Sequence, residues 1–181
     1  MWGEQCKYAD SHRASSVTCL VSGEMHPARS PPSPEPSSQR VRVSRWSIDF
    51  ASTIGSGTFG RIYKARDEEG DGETVAAKVI DASTMRWDKI LNEVRLLSRV
   101  AHHDGIIGLY GAHEVANDDG RCVVVLMELG TGGDLLDLLT RKGVLAAAEG
   151  LRYFREMASA VEFLHTQRIA HRDLKLENVL I

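Results

Sequence analysis

The spacing of apolar and polar positions changes several times along this chain, and each change marks an element. Up to about residue 44 no period is sustained, and Ser and Pro dominate 30–38. Such a composition buries too little apolar surface to offset its chain entropy, so 1–44 is expected to be a disordered tail. Ser30-Pro31 and Ser33-Pro34 read either as proline-directed phosphosites or as solvated tail. From Trp46 the pattern becomes regular. Ile48, Phe50 and Ile54 recur at even spacing among polar residues, which predicts a strand. A glycine-rich stretch at 55–60 leads to a second strand over 61–66. An acidic turn at 67–72 precedes a third over 74–80, giving an antiparallel meander.

A period near 3.6 then appears. It predicts a helix over 85–99 with Ile90, Val94 and Leu97 on one face. Two more strands are expected at 106–115 and 122–128, joined by the turn Asn117-Asp118-Asp119-Gly120. Beyond Gly132-Gly133 the pattern is helical again. A short helix is bounded by Asp134 as N-cap and Gly143 as stop. A longer one covers 147–165, with Leu151, Phe154, Ala158, Val161 and Leu164 at helical spacing. The expected fold class is α+β: a five-stranded antiparallel sheet with one main helix, then the start of a helical region. No internal repeat is visible.

Composition narrows the setting. The 181 residues carry a formal net charge of −3, with 43% hydrophobic and 26% charged residues. These are ordinary globular values, and the length allows one domain plus a tail or two small domains. There is no basic footprint, so nucleic acid is not an expected partner. No apolar run reaches the roughly 18 residues a membrane span needs. Residues 1–12 lack the apolar core of a secretory signal, and Trp2 stands where myristoylation requires glycine. Cys6, Cys19 and Cys122 are scattered and odd in number. That fits a reducing compartment, with a cytoplasmic location expected and the nucleus as the alternative. Cys122 heads an apolar run and is expected to be a buried thiol.

The candidate chemistry lies at four places. Gly55, Gly57 and Gly60 form a G-x-G-x-x-G pattern, in which glycine lets the backbone approach phosphate oxygens closely. A dinucleotide-binding fold would need a helix after it. Here Arg61-Ile62-Tyr63-Lys64 reads as a strand, which leaves a phosphate-covering hairpin or a plain glycine-rich turn. Lys78 lies within a predicted strand. Glu93 comes three residues after Ile90 and four before Leu97, so it shares the apolar face of its helix. A carboxylate there is costly to bury unless paired. Lys78 and Glu93 therefore read either as a buried ion pair or as two independent snorkelling charges. Finally, His171-Arg172-Asp173-Leu174-Lys175-Leu176-Glu177-Asn178 follows the long helix. At about one in twenty per position, five fixed positions match by chance on the order of once in a few million windows. The remaining histidines, His102-His103 among them, show no metal-ligand spacing with cysteines.

In order and spacing, these four elements resemble the signature set of eukaryotic-type protein kinases, over about residues 46–181. Lys175, two after Asp173, and the Leu176-Glu177-Asn178 ending resemble serine/threonine kinases of the calcium/calmodulin-dependent and AMP-activated-like groups. The resemblance implies an N-lobe over 45–130 and the start of a C-lobe over 131–181. It implies ATP and Mg2+ as cofactors and a protein bearing Ser or Thr as substrate.

It also implies residue roles. Gly55, Gly57 and Gly60 would cover the ATP phosphates, and Lys78 would hold the α- and β-phosphates while pairing with Glu93. Ile54, Ile62, Ala76 and Leu180 would sandwich adenine. Met127 would be the gatekeeper, with 128–130, including Glu128 and Gly130, as the hinge. Asp134 would reach the ribose. Asp173 would orient the substrate hydroxyl and accept its proton, Lys175 would support the γ-phosphate, and Asn178 would bind magnesium. Arg172 would pair with an activation-loop phosphate, and His171 reads as a packing residue. The family's Asp-Phe-Gly segment would lie beyond Ile181, so a truncated kinase with little transfer activity of its own is expected. The alternative is a non-catalytic nucleotide-binding or regulatory kinase lobe.

Overall fold

The computed structural model describes residues 18–19, 40–57, 60–82, 86–117 and 120–181. The chain divides into two compact units, one of 25–94 with 109–129 and one of 1–24 with 95–108 and 130–181.

The first unit is built on a six-stranded antiparallel sheet. Its strands are β2 (Arg40–Val43), β3 (Trp46–Gly57), β4 (Gly60–Asp67), β5 (Thr74–Asp81), β6 (Leu109–Asn117) and β7 (Gly120–Met127). They lie in the order β2-β3-β4-β5-β7-β6, all neighbours antiparallel. Alternation sorts their side chains onto two faces. Val43, Trp46, Ile48, Tyr63, Ala65, Val75, Ala77, Val124 and Leu126 pack together on one face. Ile62, Ala76, Lys78, Ile80, Val125 and Met127 alternate with them and point to the other. The helix α1 (Trp87–Val100) follows β5, and Ile90 on it is fully buried.

The sheet has one strand more than the pattern predicts. The sequence pattern places 40–43 in the tail, yet Arg40–Val43 pair with Trp46–Asp49 and Val43 is buried in the core. The reason is the period-two alternation Arg-Val-Arg-Val, which presents Val43 inward. Most of the expected tail, including the Ser-Pro pairs, lies outside the described residues. Thr18–Cys19, however, form a short strand, β1. Another correction concerns 106–108, which precede β6 as irregular chain rather than strand, with Ile106 and Ile107 buried.

The second unit is mostly helical. It holds α2 (Leu135–Lys142), α3 (Ala147–Thr166), a 3₁₀ turn (Leu176–Asn178) and β8 (Val179–Leu180), which pairs antiparallel with β1. Asp134 caps α2, its Oδ1 accepting from the Asp137 N–H at 2.8 Å. Gly143 closes α2 with φ 77°. Leu135, Tyr153 and Val179 form the core, lined by Leu138, Leu139, Leu145, Met157 and Ile181. The inward stripe of α3 is therefore Tyr153, Met157, Ala160 and Leu164. Leu151, Phe154 and Ala158, expected on the apolar face, are exposed.

Candidate active site

Two stretches of sequence fold so that the candidate residues of each unit gather. In the sheet unit, β3 and β4 form a hairpin in which Gly55 pairs with Ile62 and Gly57 with Gly60. Residues 58–59 at its tip lie outside the described residues. Gly60 has φ 154°, and a Cβ there would lie 2.0 Å from the Val79 carbonyl oxygen, so no other residue fits. Gly55 differs: a Cβ there would make only ordinary contact with the Ile62 side chain at 3.6 Å. The fold does not demand glycine at that position, which leaves room for something to approach the backbone. Ile54 is exposed and Ile62 half-buried, while Ala76 and Met127 are buried and face each other across β5 and β7. Glu128 follows the end of β7 and is half-buried.

Lys78 pairs across strands with Ile62 and Val125, in the middle of the sheet. Its Nζ donates to Glu93 Oε1 at 3.1 Å, and the two side chains are only 20% and 16% exposed. Of the two sequence readings, the structure selects the ion pair. Removing one partner from a pair this sheltered leaves an uncompensated charge and costs up to about 3 kcal/mol.

In the helical unit, the loop 171–178 hangs between buried anchors. Ile169 sits just before it, its N–H bonded to the Leu164 carbonyl at 2.9 Å, and Val179 just after it. Inside the loop the hydrogen bonds converge on Asp173. Asn178 Nδ2 donates to the Asp173 carbonyl at 2.7 Å and to its Oδ2 at 2.9 Å. The Asp173 N–H donates to Nδ1 of the buried His171 at 3.3 Å. Lys175 Nζ lies 3.7 Å from Asp173 Oδ2. The carboxylate, 44% exposed, is thus oriented yet open to solvent. Arg172 has φ 65°, a left-handed backbone that a branched-chain residue would resist. Sequence reasoning took His171 as a packing residue only. That it also braces the Asp173 backbone depends on the turn made by Arg172, which no local pattern announces.

The same unit brings Gly130, Asp134 and Leu180 together. Asp134 bridges to Leu180, and a Cβ on Gly130 would touch the Leu180 Cβ at 3.1 Å. The Gly132 N–H donates to the Ile181 carbonyl at 2.8 Å, and the Ile181 N–H to the Gly133 carbonyl at 3.0 Å. Among the described residues, no cluster of His, Cys, Asp and Glu suits a metal by itself. No helix there is long and apolar enough to cross a membrane.

Comparison with known proteins agrees with this geometry. The chain is 36% identical over 141 residues to NUAK family SNF1-like kinase 2 of Homo sapiens, covering 76% of this chain and 21% of that protein. It is 32% identical over 150 residues to CBL-interacting serine/threonine-protein kinase 7 of Arabidopsis thaliana, covering 81% of this chain and 34% of the relative. The chain therefore spans between a fifth and about a third of the length of these relatives. A crystal structure of Rad53 1–466 in complex with AMP-PNP superposes with a TM-score of 0.67 at 31% identity, over 76% of this chain and 34% of that one. Residues 48–181 match the family model of the protein kinase domain, and with relatives and fold in agreement the chain belongs to the protein kinase family.

Proposed function

We propose that this chain carries the nucleotide-handling and catalytic-loop residues of an ATP-dependent protein serine/threonine kinase, with an N-lobe over 45–130 and the start of a C-lobe over 131–181. The observation that carries the reading is the Lys78–Glu93 pair, which holds an ammonium on the inner face of a sheet beside a glycine hairpin. Phosphoryl transfer needs little covalent help; it needs positioning and neutralisation of charge. Lys78, steadied by Glu93, meets the α- and β-phosphates. Gly55, Gly57 and Gly60 offer backbone N–H groups to the phosphates. Ile54, Ile62, Ala76 and Leu180 supply apolar contact to adenine, 128–130 its polar edge, and Asp134 the ribose contact, beside its capping role. Asp173, held by Asn178 and His171, accepts the proton of a Ser or Thr hydroxyl. Lys175 balances the charge of the γ-phosphate.

Asn178 suits one position in the shell of a magnesium ion, whose main carboxylate would come from the family's Asp-Phe-Gly segment. Asn178 Nδ2 is committed to Asp173, which turns its amide oxygen the other way, and oxygen is the donor this hard cation takes. When bound, the ion would neutralise phosphate charge.

The test has two arms. Titration of the chain with ATP and magnesium should show binding that Lys78→Met weakens about tenfold or more. Radiolabel transfer to Ser, Thr and Tyr peptides, in a form as long as a whole kinase domain, should favour Ser and Thr and fall about 10²- to 10⁴-fold in Asp173→Asn. Binding without any Asp173-dependent transfer would point instead to a regulatory lobe.

A further inference from the structure

One residue outside the candidate site contacts both the end of β5 and the start of α1, the helix that carries Glu93. Arg121 is the second residue of β7. Its carbonyl accepts the Ala82 N–H at 2.9 Å, just where the chain leaves β5. Its guanidinium lies over the ring of Trp87, the first residue of α1, 4.4 Å from the centroid. That is well inside the range of a cation–π contact. The guanidinium is itself aimed by Glu114, whose Oε1 accepts from Nε at 2.6 Å across the β6–β7 hairpin. Ala116 is opposite Arg121, so Glu114 is its diagonal neighbour on the same face. Trp87 opens the helix stripe that continues through Ile90 and Val94, and Glu93 lies six residues on, about 9 Å along the axis.

We infer that Arg121, acting through Trp87, is a positioning residue for the Lys78–Glu93 pair. Its backbone fixes the start of the connection and its side chain fixes the end. Loss of the stack frees the first turns of α1 to shift, and Glu93 shifts with them. The functional weight of this inference rests on the kinase reading above; its geometric content does not.

The 181-residue chain serves for the test. Lys78 must leave its carboxylate and give up its proton before the free amine can attack a small N-hydroxysuccinimide ester and release N-hydroxysuccinimide, so the acetylation rate at Lys78, read by mass spectrometry at fixed pH, reports the pair. Glu93→Gln sets the upper limit. Arg121→Ala and Trp87→Leu are each expected to raise the Lys78 rate about two- to fivefold, the range an exposed cation–π contact supplies. The exposed Lys64 should keep its rate. Arg121→Lys, which keeps the charge over the ring, should restore most of the protection, and the Arg121→Ala, Trp87→Leu double variant should exceed neither single one. If Arg121→Ala unfolds, every lysine speeds up together, and Arg121→Gln, which keeps the backbone bond and the stem, takes its place. A folded Arg121 variant with an unchanged Lys78 rate overturns the inference. ATP with magnesium separates the two readings. Protection of Lys78 by nucleotide beside an unmoved Arg121 variant sinks the inference alone. No protection by nucleotide beside a moved variant sinks the nucleotide reading and leaves Arg121 in its role.

Discussion

The carboxylate of Asp67 is 2% exposed, yet every partner it needs is within reach. Arg45 Nη2 lies at 2.7 Å, and the N–H groups of Glu69 and Gly70 donate to it at 3.0 and 3.2 Å. A carboxylate so placed ties the β2–β3 turn to the β4–β5 turn. Asp67→Ala is expected to lower stability by about 2–4 kcal/mol, because it leaves two backbone donors and a guanidinium unmatched. Asp67→Asn keeps an acceptor oxygen and should lose less; urea unfolding of both variants decides. Sequence could not find this residue, since an acidic turn reads as solvated whichever carboxylate folds inward. Lys78 and Glu93 stand out for the opposite reason: each interrupts an apolar face. The pattern allows pairing or snorkelling, and the structure selects the pair. The thiol of Cys122 proved half-buried rather than buried, with burial first and Asp81 second pushing its pKa up.

At the scale of elements, β2 shows how a regular strand escapes notice. Its Arg-Val-Arg-Val pattern alternates faithfully, but the link to β3 is Ser44-Arg45, with Ser44 at φ 56°. Two-residue hairpins usually announce themselves with Asn-Gly or Asp-Gly, and here neither is present. If β2 is part of the sheet and not tail, Val43→Ala should cost about 1–2 kcal/mol of stability. Val41→Ala, partly exposed, should cost much less. Equal, negligible effects in thermal melts would return 40–43 to the tail. The helix α3 is a different case: its span and period match the sequence reading, and Leu151 and Phe154 of the expected apolar face are exposed. It carries two apolar stripes, and periodicity alone does not say which one meets the core. The aromatic of the buried stripe, Tyr153, has a polar tip that masks it in a search for apolar positions, and its hydroxyl lies 3.4 Å from Glu149 Oε1.

Over the whole molecule, the order of elements from β3 to the loop 171–178 is readable because glycines, charge interruptions and period changes agree with one another. Stability as a function of pH adds a property no pattern contains. Burial pushes the His113 imidazole below its ordinary range. As pH falls through about 6.5 the unfolded chain takes up a proton there while the folded chain does so only at lower pH. His113 therefore favours folding least in acid: its share of stability is present above about pH 6.5 and declines below it. His113→Gln should flatten that part of the stability profile between about pH 7 and 5, measured by denaturant midpoints. An unchanged slope would show that the imidazole reaches solvent freely.

Arg172 ties these scales together through its backbone. A residue other than glycine in the left-handed region gives up roughly 1–2 kcal/mol against its relaxed form. Scored for folding alone, for example by protease resistance in a library of variants, Gly and Asn should outrank arginine at this position. On the proposed kinase reading, scored for Ser/Thr phosphotransfer in a form as long as a whole kinase domain, the order should reverse, since neither replacement brings a guanidinium to an activation-loop phosphate. Arg168 shares the conformation at the end of α3, with φ 59°, but stands outside the loop, and there the two rankings should agree. Comparing two such rankings along a chain separates residues kept for the fold from residues kept in spite of it.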